Sequence, residues 1–136
     1  MKQPYNHQYR PPIPVLSVRL YSPISDRFTP TISALVDTGS DASLIPLTHI
    51  DELGAEETAP GWLVGITGDR KPVSLFFVDI YIGEQVLAGI RVIGDPDADE
   101  VILGRDVLNK LPVFLDGPQK ALVIPDDKTI NRLRRE

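Results

Sequence analysis

Hydrophobic residues along this chain recur in short runs separated by prolines, glycines and polar positions. Residues 14–21 alternate, with Leu16, Val18 and Leu20 on one side, which predicts a first strand. A second apolar run, 31–36, leads directly into Asp37. Two longer runs, 73–82 and 86–93, predict strands joined by a turn. The first of these two is apolar at nearly every position, so we expect both its faces to be covered.

Shorter segments complete the predicted pattern. Helices are predicted over 46–53, ended by Gly54, and over 105–111, ended before Pro112. The remaining short apolar pieces predict strands and a hairpin, and they cover 42–45, 101–103, 113–115 and 121–124. Thirteen prolines and ten glycines favour short strands over long helices. The pattern therefore predicts an all-β fold, a closed or nearly closed antiparallel barrel with one or two short helices.

The length of 136 residues fits a single domain. Residues 1–13 carry three prolines and predict an extended N-terminal arm. Residues 14–125 hold the predicted barrel domain. Residues 126–136 are a polar C-terminal tail that we expect to fray, with its arginines in solvent.

Composition excludes several classes of protein. A net charge of −5 gives no support for nucleic-acid binding. The absence of cysteine excludes disulfides, thiol nucleophiles and thiolate metal sites. No apolar run approaches the roughly 20 residues that a membrane span needs. The first fourteen residues lack the apolar stretch of a secretory signal. We therefore expect a cytoplasmic protein without a cofactor, a metal, or a nucleic-acid or membrane partner.

The first candidate for chemistry is the segment 34–40, Ala-Leu-Val-Asp-Thr-Gly-Ser. An apolar strand that ends in an acid, a hydroxyl and a glycine can hold the Asp37 carboxylate in a cleft. The competing interpretation is a strand that ends in an ordinary Asx turn. The tripeptide alone is weak evidence, because it arises by chance about once in several thousand positions.

The second candidate is Val-Ile-Leu-Gly-Arg-Asp-Val-Leu at 101–108, which alone predicts only a core strand followed by a helix. Together, the two segments resemble the retropepsin family, the single-domain aspartic proteases of retroviruses and their cellular and bacterial relatives. That family has an apolar strand, Asp-Thr-Gly, then Ala or Ser, and much later an apolar triplet with Gly-Arg. The resemblance covers about residues 14–125, and the retropepsin barrel is the fold that it implies.

The resemblance implies a role for each matching residue. The catalytic segment is Asp37, Thr38 and Gly39, with the Thr38 hydroxyl bonding across a dimer axis. Four residues are expected to support the catalytic loop: Ser40, Asp41, Gly104 and Arg105. Asp41 and Arg105 are expected to form an ion pair. A flap that closes over the substrate is expected at Val64, Gly65, Ile66, Thr67 and Gly68.

A single Asp-Thr-Gly implies a homodimer. Hydrolysing a peptide without a metal or covalent intermediate needs a carboxylate to activate water and a carboxylic acid to donate a proton. The chain offers one such carboxyl, so the other must come from a second copy across a two-fold axis. We therefore expect a homodimeric aspartic endopeptidase acting on polypeptides. A Ser40 hydroxyl bonded to the Asp37 carboxylate would lower the pKa values of the pair and shift the activity optimum toward acid.

Two other functions are compatible with the sequence. One is a catalytically silent module that keeps the fold for dimerisation or peptide binding. The other is an unrelated β-barrel enzyme with a chance tripeptide, which Gly104-Arg105 argues against. A calcium loop starting at Asp95, Asp97 and Asp99 is disfavoured because its sixth position is Glu100 and not glycine. We interpret these acids as a solvated loop.

Overall fold

A computed structural model describes residues 1–135. It contains eleven strands and three helices. The strands are β1 (Lys2–Pro4), β2 (Val15–Ser22), β3 (Arg27–Phe28), β4 (Ile32–Val36), β5 (Leu44–Pro46), β6 (Glu56–Val64), β7 (Arg70–Ile82), β8 (Gln85–Asp95), β9 (Ile102–Leu103), β10 (Phe114–Asp116) and β11 (Ala121–Val123). The helices are α1 (Leu47–Leu53), α2 (Arg105–Leu108) and α3 (Asp127–Arg134).

Six strands close into a barrel, in the order β2-β4-β9-β5-β8-β7. The circle is completed because β2 pairs with β4 through its first half and with β7 through its second half. Most of these pairings are antiparallel, whereas β4–β9 and β5–β8 are parallel. The remaining strands of this sheet, β3 and β6, extend it at its two edges. The predicted all-β barrel is thus confirmed.

The core fills the inside of this barrel. Its largest fully buried side chains are aliphatic and come from strands all round the barrel, from α1 and from β11: Leu16, Leu20, Ile45, Ile50, Leu53, Ile80, Ile82, Leu103 and Leu122. The alternation predicted for the first strand is confirmed, since Leu16, Val18 and Leu20 are buried. The prediction that both faces of the long strand are covered is wrong. In β7, Val78 and Ile80 are buried, whereas Phe77, between Phe76 and Val78, is exposed.

The helices follow local sequence signals. Helix α1 ends at Gly54, whose φ of 66° is the left-handed conformation that glycine adopts most easily. Helix α2 begins where predicted but ends at Leu108, three residues early. Helix α3 was not predicted. It begins after Asp126, whose side chain accepts a hydrogen bond from the Thr129 amide. Of the predicted tail, Glu136 lies outside the described residues.

The two ends of the chain meet in a second, three-stranded sheet of order β1-β11-β10. Strand β1 lies within the predicted N-terminal arm and pairs antiparallel with β11. The predicted C-terminal hairpin is present as β10 and β11. We refer to these three strands as the terminal sheet. No helix within residues 1–135 is long and apolar enough to cross a membrane.

Candidate active site

Asp37 follows the last residue of β4, where strands on both sides hold the backbone. The Val36 amide donates to the carbonyl of Pro14 (3.1 Å), just before β2. The Asp37 amide donates to the carbonyl of Leu103 (3.0 Å), at the end of β9. The carboxylate therefore stands on a fixed backbone at the end of the barrel. Its side chain is exposed to solvent in the single chain.

The Asp37 side chain is oriented by the backbone that follows it. Its Oδ1 accepts a hydrogen bond from the Gly39 amide (2.9 Å). A Cβ at position 39 would lie 3.1 Å from the same oxygen, so glycine keeps this approach open. This contact is the Asx turn of the competing interpretation. Only Oδ1 of the carboxylate accepts this hydrogen bond, so a turn and a positioned acid are compatible here.

Gly104 and Arg105 pack against the loop that carries Asp37. A Cβ at Gly104 would lie 2.5 Å from the carbonyl oxygen of Ala42 and 2.8 Å from that of Ser40, so only glycine fits. The Arg105 amide donates to the Ser40 carbonyl (2.8 Å), and its Nη1 donates to the Thr38 carbonyl (2.9 Å). The structure therefore brings Asp37, Thr38, Gly39, Ser40, Gly104 and Arg105 together.

The expected ion pair between Asp41 and Arg105 is wrong for the single chain. Within residues 1–135, Lys71 forms ion pairs with Asp95 and Asp97, and His49 Nδ1 lies 4.0 Å from Glu52 Oε2. The Arg105 guanidinium instead bonds the backbone carbonyl of Thr38. Arg105 and Asp41 are both exposed. Arg105 thus supports the loop by donating to the backbone carbonyl of Thr38 and not by pairing with the Asp41 carboxylate.

The expected bond from Ser40 to Asp37 is also wrong. The Ser40 hydroxyl donates to the carbonyl of Ala42 (2.6 Å), which closes the loop that Gly104 packs on. It therefore supplies no donor to the carboxylate. The acidic shift of the activity optimum that was argued from this hydroxyl has no structural basis.

Ser43 and Asp106 support the site but were missed in the sequence. The buried Ser43 hydroxyl donates to Oδ1 of Asp106 (2.6 Å) and accepts from the Gly104 amide (3.0 Å). The Ser43 amide donates to Oδ2 of Asp106 (3.0 Å). These bonds connect the segment after Asp37 to the segment after β9. The available signal was the serine within the apolar piece 42–45, since a polar residue in a buried strand needs a partner.

The predicted flap residues form the tip of the hairpin between β6 and β7. Val64 is the last residue of β6 and pairs with Arg70. The turn is closed by the Gly65 amide, which donates to the Asp69 carbonyl (2.9 Å), and by Gly68 at a φ of 86°. Ile66 lies at the tip, fully exposed, and Thr67 donates to Oδ2 of Asp69 (3.0 Å). The hairpin thus presents apolar side chains to solvent at its tip.

The acidic segment at 95–100 is not simply a solvated loop. Asp95 is buried, and its Oδ1 accepts hydrogen bonds from Lys71 Nζ (2.7 Å) and from the Asp97 amide (3.0 Å). Asp97 also accepts from Lys71 (2.9 Å). Burial raises the pKa of Asp95, but the lysine and the amide outweigh it, so this pKa lies below its ordinary value. Among the residues that the structure describes, no three side chains of His, Asp or Glu are grouped to hold a metal.

The sequence model of a family described as retroviral aspartyl protease matches residues 8–116. A search of curated protein sequences finds no match.

Three solved structures share the fold at low identity. A retropepsin-like aspartic protease from Rickettsia conorii is 15% identical, with a TM-score of 0.60, covering 91% of this chain and 88% of that one. The retroviral protease-like domain of Ddi1 from Leishmania major is 18% identical (TM-score 0.54; 84% and 90% covered). The EIAV protease in complex with an inhibitor is 22% identical (TM-score 0.52; 72% and 86% covered). Because the family match spans most of the sequence and includes both catalytic-loop segments, the chain belongs to the retroviral aspartyl protease family.

Proposed function

We propose that this protein is a homodimeric aspartic endopeptidase whose active site is built from Asp37 of two copies. The observation that carries the proposal is the placement of Asp37. Its backbone is held by β2 and β9, its Oδ1 is held by the Gly39 amide, and its side chain is exposed. A single chain places one such carboxyl at the end of the barrel, whereas metal-free hydrolysis of a peptide needs two.

In the proposed dimer, the two Asp37 carboxyls share one proton. Two carboxyls about 3 Å apart cannot both ionise, so one is an acid and the other a base. The carboxylate removes a proton from a water molecule while the oxygen of that water attacks the scissile carbonyl carbon. The protonated carboxyl donates its proton to the carbonyl oxygen. As the resulting diol collapses, the C–N bond breaks, the protonated carboxyl gives its proton to the amine nitrogen and a diol hydroxyl gives its proton to the other carboxyl. The dyad ends with one proton, as it began.

The residues around Asp37 position the carboxylate, the second copy and the substrate. Gly39 lets the backbone pass close to the carboxylate and substrate. Thr38 is exposed, so its hydroxyl can bond to the second copy, while its carbonyl is held by Arg105. Three of the four expected supporting residues, Ser40, Gly104 and Arg105, hold the loop through the contacts described above. The flap, residues 64–68, closes over the polypeptide substrate and excludes water. The fully exposed Ile66 supplies apolar surface for this closure.

The test compares wild type with Asp37→Asn in a peptide-library cleavage assay. We expect the variant to lose hydrolysis while it keeps its circular dichroism spectrum and its dimer. A substrate analogue with a hydroxyl in place of the scissile carbonyl should bind wild type and lose affinity for the variant. Asp51→Asn is the matched control, because Asp51 is an exposed aspartate on α1.

Two other results would contradict the proposed function. Hydrolysis retained by purified Asp37→Asn would exclude the mechanism. A wild type that dimerises and binds peptides but cleaves none would favour a catalytically silent module.

A further inference from the structure

A groove opens on the barrel surface where β7 changes its partner strand. Strand β7 pairs with β6 from Arg70 to Phe77 and with β2 from Asp79 to Tyr81. Between the two pairings lies a cavity of about 270 Å³. Its lining comes from the β2–β3 turn, from β6 and from the β7–β8 pair, and includes Pro23, Ile24, Glu56, Phe77, Asp79 and Gly89. We call this surface the distal groove.

The distal groove exposes apolar side chains to solvent. Ile24 is 70% exposed and Phe77 is 38% exposed. Apolar side chains grouped in water mark a surface that another molecule can cover. The cavity is smaller than the roughly 300–1,000 Å³ of small-molecule sites. Its size therefore suits one large side chain of a partner and not a cofactor.

Hydrogen bonds hold the walls of the groove in place. In the turn that carries Ile24, the Ser25 hydroxyl donates to the Leu53 carbonyl at the end of α1 (2.6 Å). On the opposite wall, Oδ1 of Asp79 accepts from the Gly89 amide (2.8 Å). A groove whose walls are already ordered binds a partner with little further loss of conformational entropy.

An open strand edge lies beside the groove. Strand β6 is the last strand of its sheet, so the outer edge at its first residue, Glu56, has no neighbouring strand in the part of the chain that the structure describes. Such an edge pairs with an extended peptide while a pocket takes one of its side chains. Pro60 and the bulge between Glu57 and Ala59 interrupt the rest of the edge, which disfavours pairing of two copies along it. An extended segment of another polypeptide fits this edge better.

The charge of the groove is acidic. Glu56 and Asp79 belong to its lining, which contains no lysine or arginine among the described residues. Within residues 1–135 neither acid has an ion-pair partner. Arg91 of β8 instead lies over the Phe77 ring, 5.3 Å from its centroid. A second copy would bring a second acidic groove, whereas a basic side chain beside an apolar one complements this surface.

The distal groove and Asp37 lie at opposite ends of β2. At the start of β2, Val15 pairs with Leu35, two residues before Asp37. At the other end, Pro23 of the groove follows Ser22. The eight residues of this strand span about 26 Å. An extended chain covers about 3.3–3.6 Å per residue, so roughly eight residues connect the two places.

We propose that the distal groove binds a segment of the polypeptide substrate that lies outside the cleaved stretch. An apolar side chain of this segment enters the groove, and a lysine or arginine next to it contacts Glu56 and Asp79. The inference rests on the proposed function, because it assigns the groove to that enzyme's substrate. Its consequence is a preference for long substrates over short ones.

The first test measures peptide binding without cleavage, in Asp37→Asn chains. The probe is a fluorescein-labelled peptide with one leucine between two lysines in a serine–threonine background, and anisotropy gives its Kd. We expect Ile24→Asp, added to this chain, to raise Kd about tenfold or more, because the leucine loses its apolar site. Replacing the leucine of the probe by serine should have the same effect.

Matched variants separate the groove from general effects. Ile24→Val keeps an apolar side chain and should leave Kd nearly unchanged. Glu56→Lys should raise Kd, and by less at high salt, since exposed charges are screened. Glu57→Lys makes the same change at the next exposed residue, which points to the other face of β6, and should have a smaller effect.

The second test measures cleavage by wild type. A cleavable peptide from the library assay is compared with the same peptide extended by the leucine–lysine segment through a spacer of eight or more residues. We expect the extension to lower KM and leave kcat unchanged, since it adds equal binding to the ground state and the transition state. A two-residue spacer cannot span the distance and should give no gain. Ile24→Asp should remove the gain without affecting the short peptide.

Three results would overturn the proposal: a probe Kd that Ile24→Asp leaves unchanged, equal KM values for short and extended peptides, or a dimer Kd that shifts with the groove variants in place of the probe Kd. The last result would assign the groove to a second copy. Probe binding needs no catalysis, so the two proposals fail separately. Binding that depends on Ile24 and Glu56 in a wild type that cleaves nothing would refute the proposed function alone.

Discussion

At the residue scale, Gly104 has the tightest surroundings in the site. The Gly104 amide donates to the Ser43 hydroxyl, and the Arg105 amide donates to the Ser40 carbonyl. These two bonds bring the backbone after β9 against Ser40 and Ala42. Gly104→Ala would force a methyl group to within 2.5 Å of the Ala42 carbonyl. We expect a loss of about 1–3 kcal/mol in the free energy of unfolding, together with loss of peptidase activity because the Asp37 loop must move.

Gly117→Ala is the control for this prediction. Among residues 1–135, nothing lies within 4 Å of a Cβ at Gly117. We expect a change within about 0.5 kcal/mol, as for other open surface positions. Urea unfolding of both variants checks the pair. Equal stabilities would show that the loop has room and that Gly104 is not required by packing.

Ser43 carries the second prediction at this scale. Ser43→Ala removes the acceptor of the buried Gly104 amide and a donor to Asp106. Leaving such a buried group unpaired costs about 1–3 kcal/mol, and we expect a lower kcat because the two segments of the site lose their connection. Ser33→Ala, at an exposed position of β4, should change neither quantity measurably. Urea unfolding and steady-state kinetics measure both effects.

How far the site can be predicted from sequence differs between these residues. Asp37 and Gly104 were identified because they lie in motifs with fixed spacing. The partners of Ser40, Arg105 and Asp106 were not, because each hydrogen bond depends on where a loop carbonyl points after folding. Ser40 selects the Ala42 carbonyl and Arg105 the Thr38 carbonyl. A sequence contains the donor but not the position of its acceptor.

At the scale of elements, Lys71 connects the flap hairpin to the barrel. Lys71 lies in β7 opposite Leu63 of β6, and it bonds to Asp95 at the end of β8 and to Asp97. The ion pair therefore ties the hairpin to the barrel one residue pair from its last pair, Val64–Arg70, whereas the tip at 64–68 is exposed. The hydrogen bond to Asp95 is the main reason that the pKa of Lys71 is raised.

Lys71→Met should lower stability in a pH-dependent way. The pKa of Asp95 is lowered in the folded chain, so its contribution is complete above the ordinary Asp value of about 3.9 and is lost as pH falls through the folded value. We expect the variant to be less stable than wild type by about 1–3 kcal/mol at neutral pH. This difference should shrink under acid conditions, where Asp95 is protonated in both proteins.

Urea unfolding at neutral and acid pH measures this difference, with Lys110→Met as the control at an exposed lysine. A difference between wild type and Lys71→Met that is equal at both pH values would mean that the lysine acts by packing of its methylene groups. The ion pair would then play no part in holding the hairpin.

The elements themselves were predicted where the apolar pattern was strong. Strands β2, β7 and β8 have long apolar runs, and Gly54 ends α1 where expected. Strand β6 was missed because Glu56 to Pro60 is polar or proline-containing, and it is stabilised by pairing along β7. Helix α3 was missed because its sequence is polar, and it begins through a local cap at Asp126. Pairing and capping supply what the hydrophobic pattern lacks.

At the scale of the whole molecule, the barrel is complete in one chain but the proposed active site is not. The strand order closes on itself, and the terminal sheet uses strands of one chain. In the proposed mechanism, a single carboxyl per chain makes activity a property of the dimer. Well below Kd, the rate should therefore rise with the square of the chain concentration. A rate strictly proportional to chain concentration down to the monomer range would contradict this.

A mixing experiment tests whether both Asp37 carboxyls are needed. Asp37→Asn chains are added to a fixed amount of wild type, above Kd, and the subunits are allowed to exchange. If a mixed dimer is inactive, random pairing at an equal ratio reduces activity to about half. If one carboxyl were sufficient, mixed dimers would cleave and activity would rise. Asp51→Asn chains, which keep Asp37 and change an exposed aspartate of α1, are the control: added in the same amount they should raise the rate, and so attribute the inhibition to the loss of the Asp37 carboxyl.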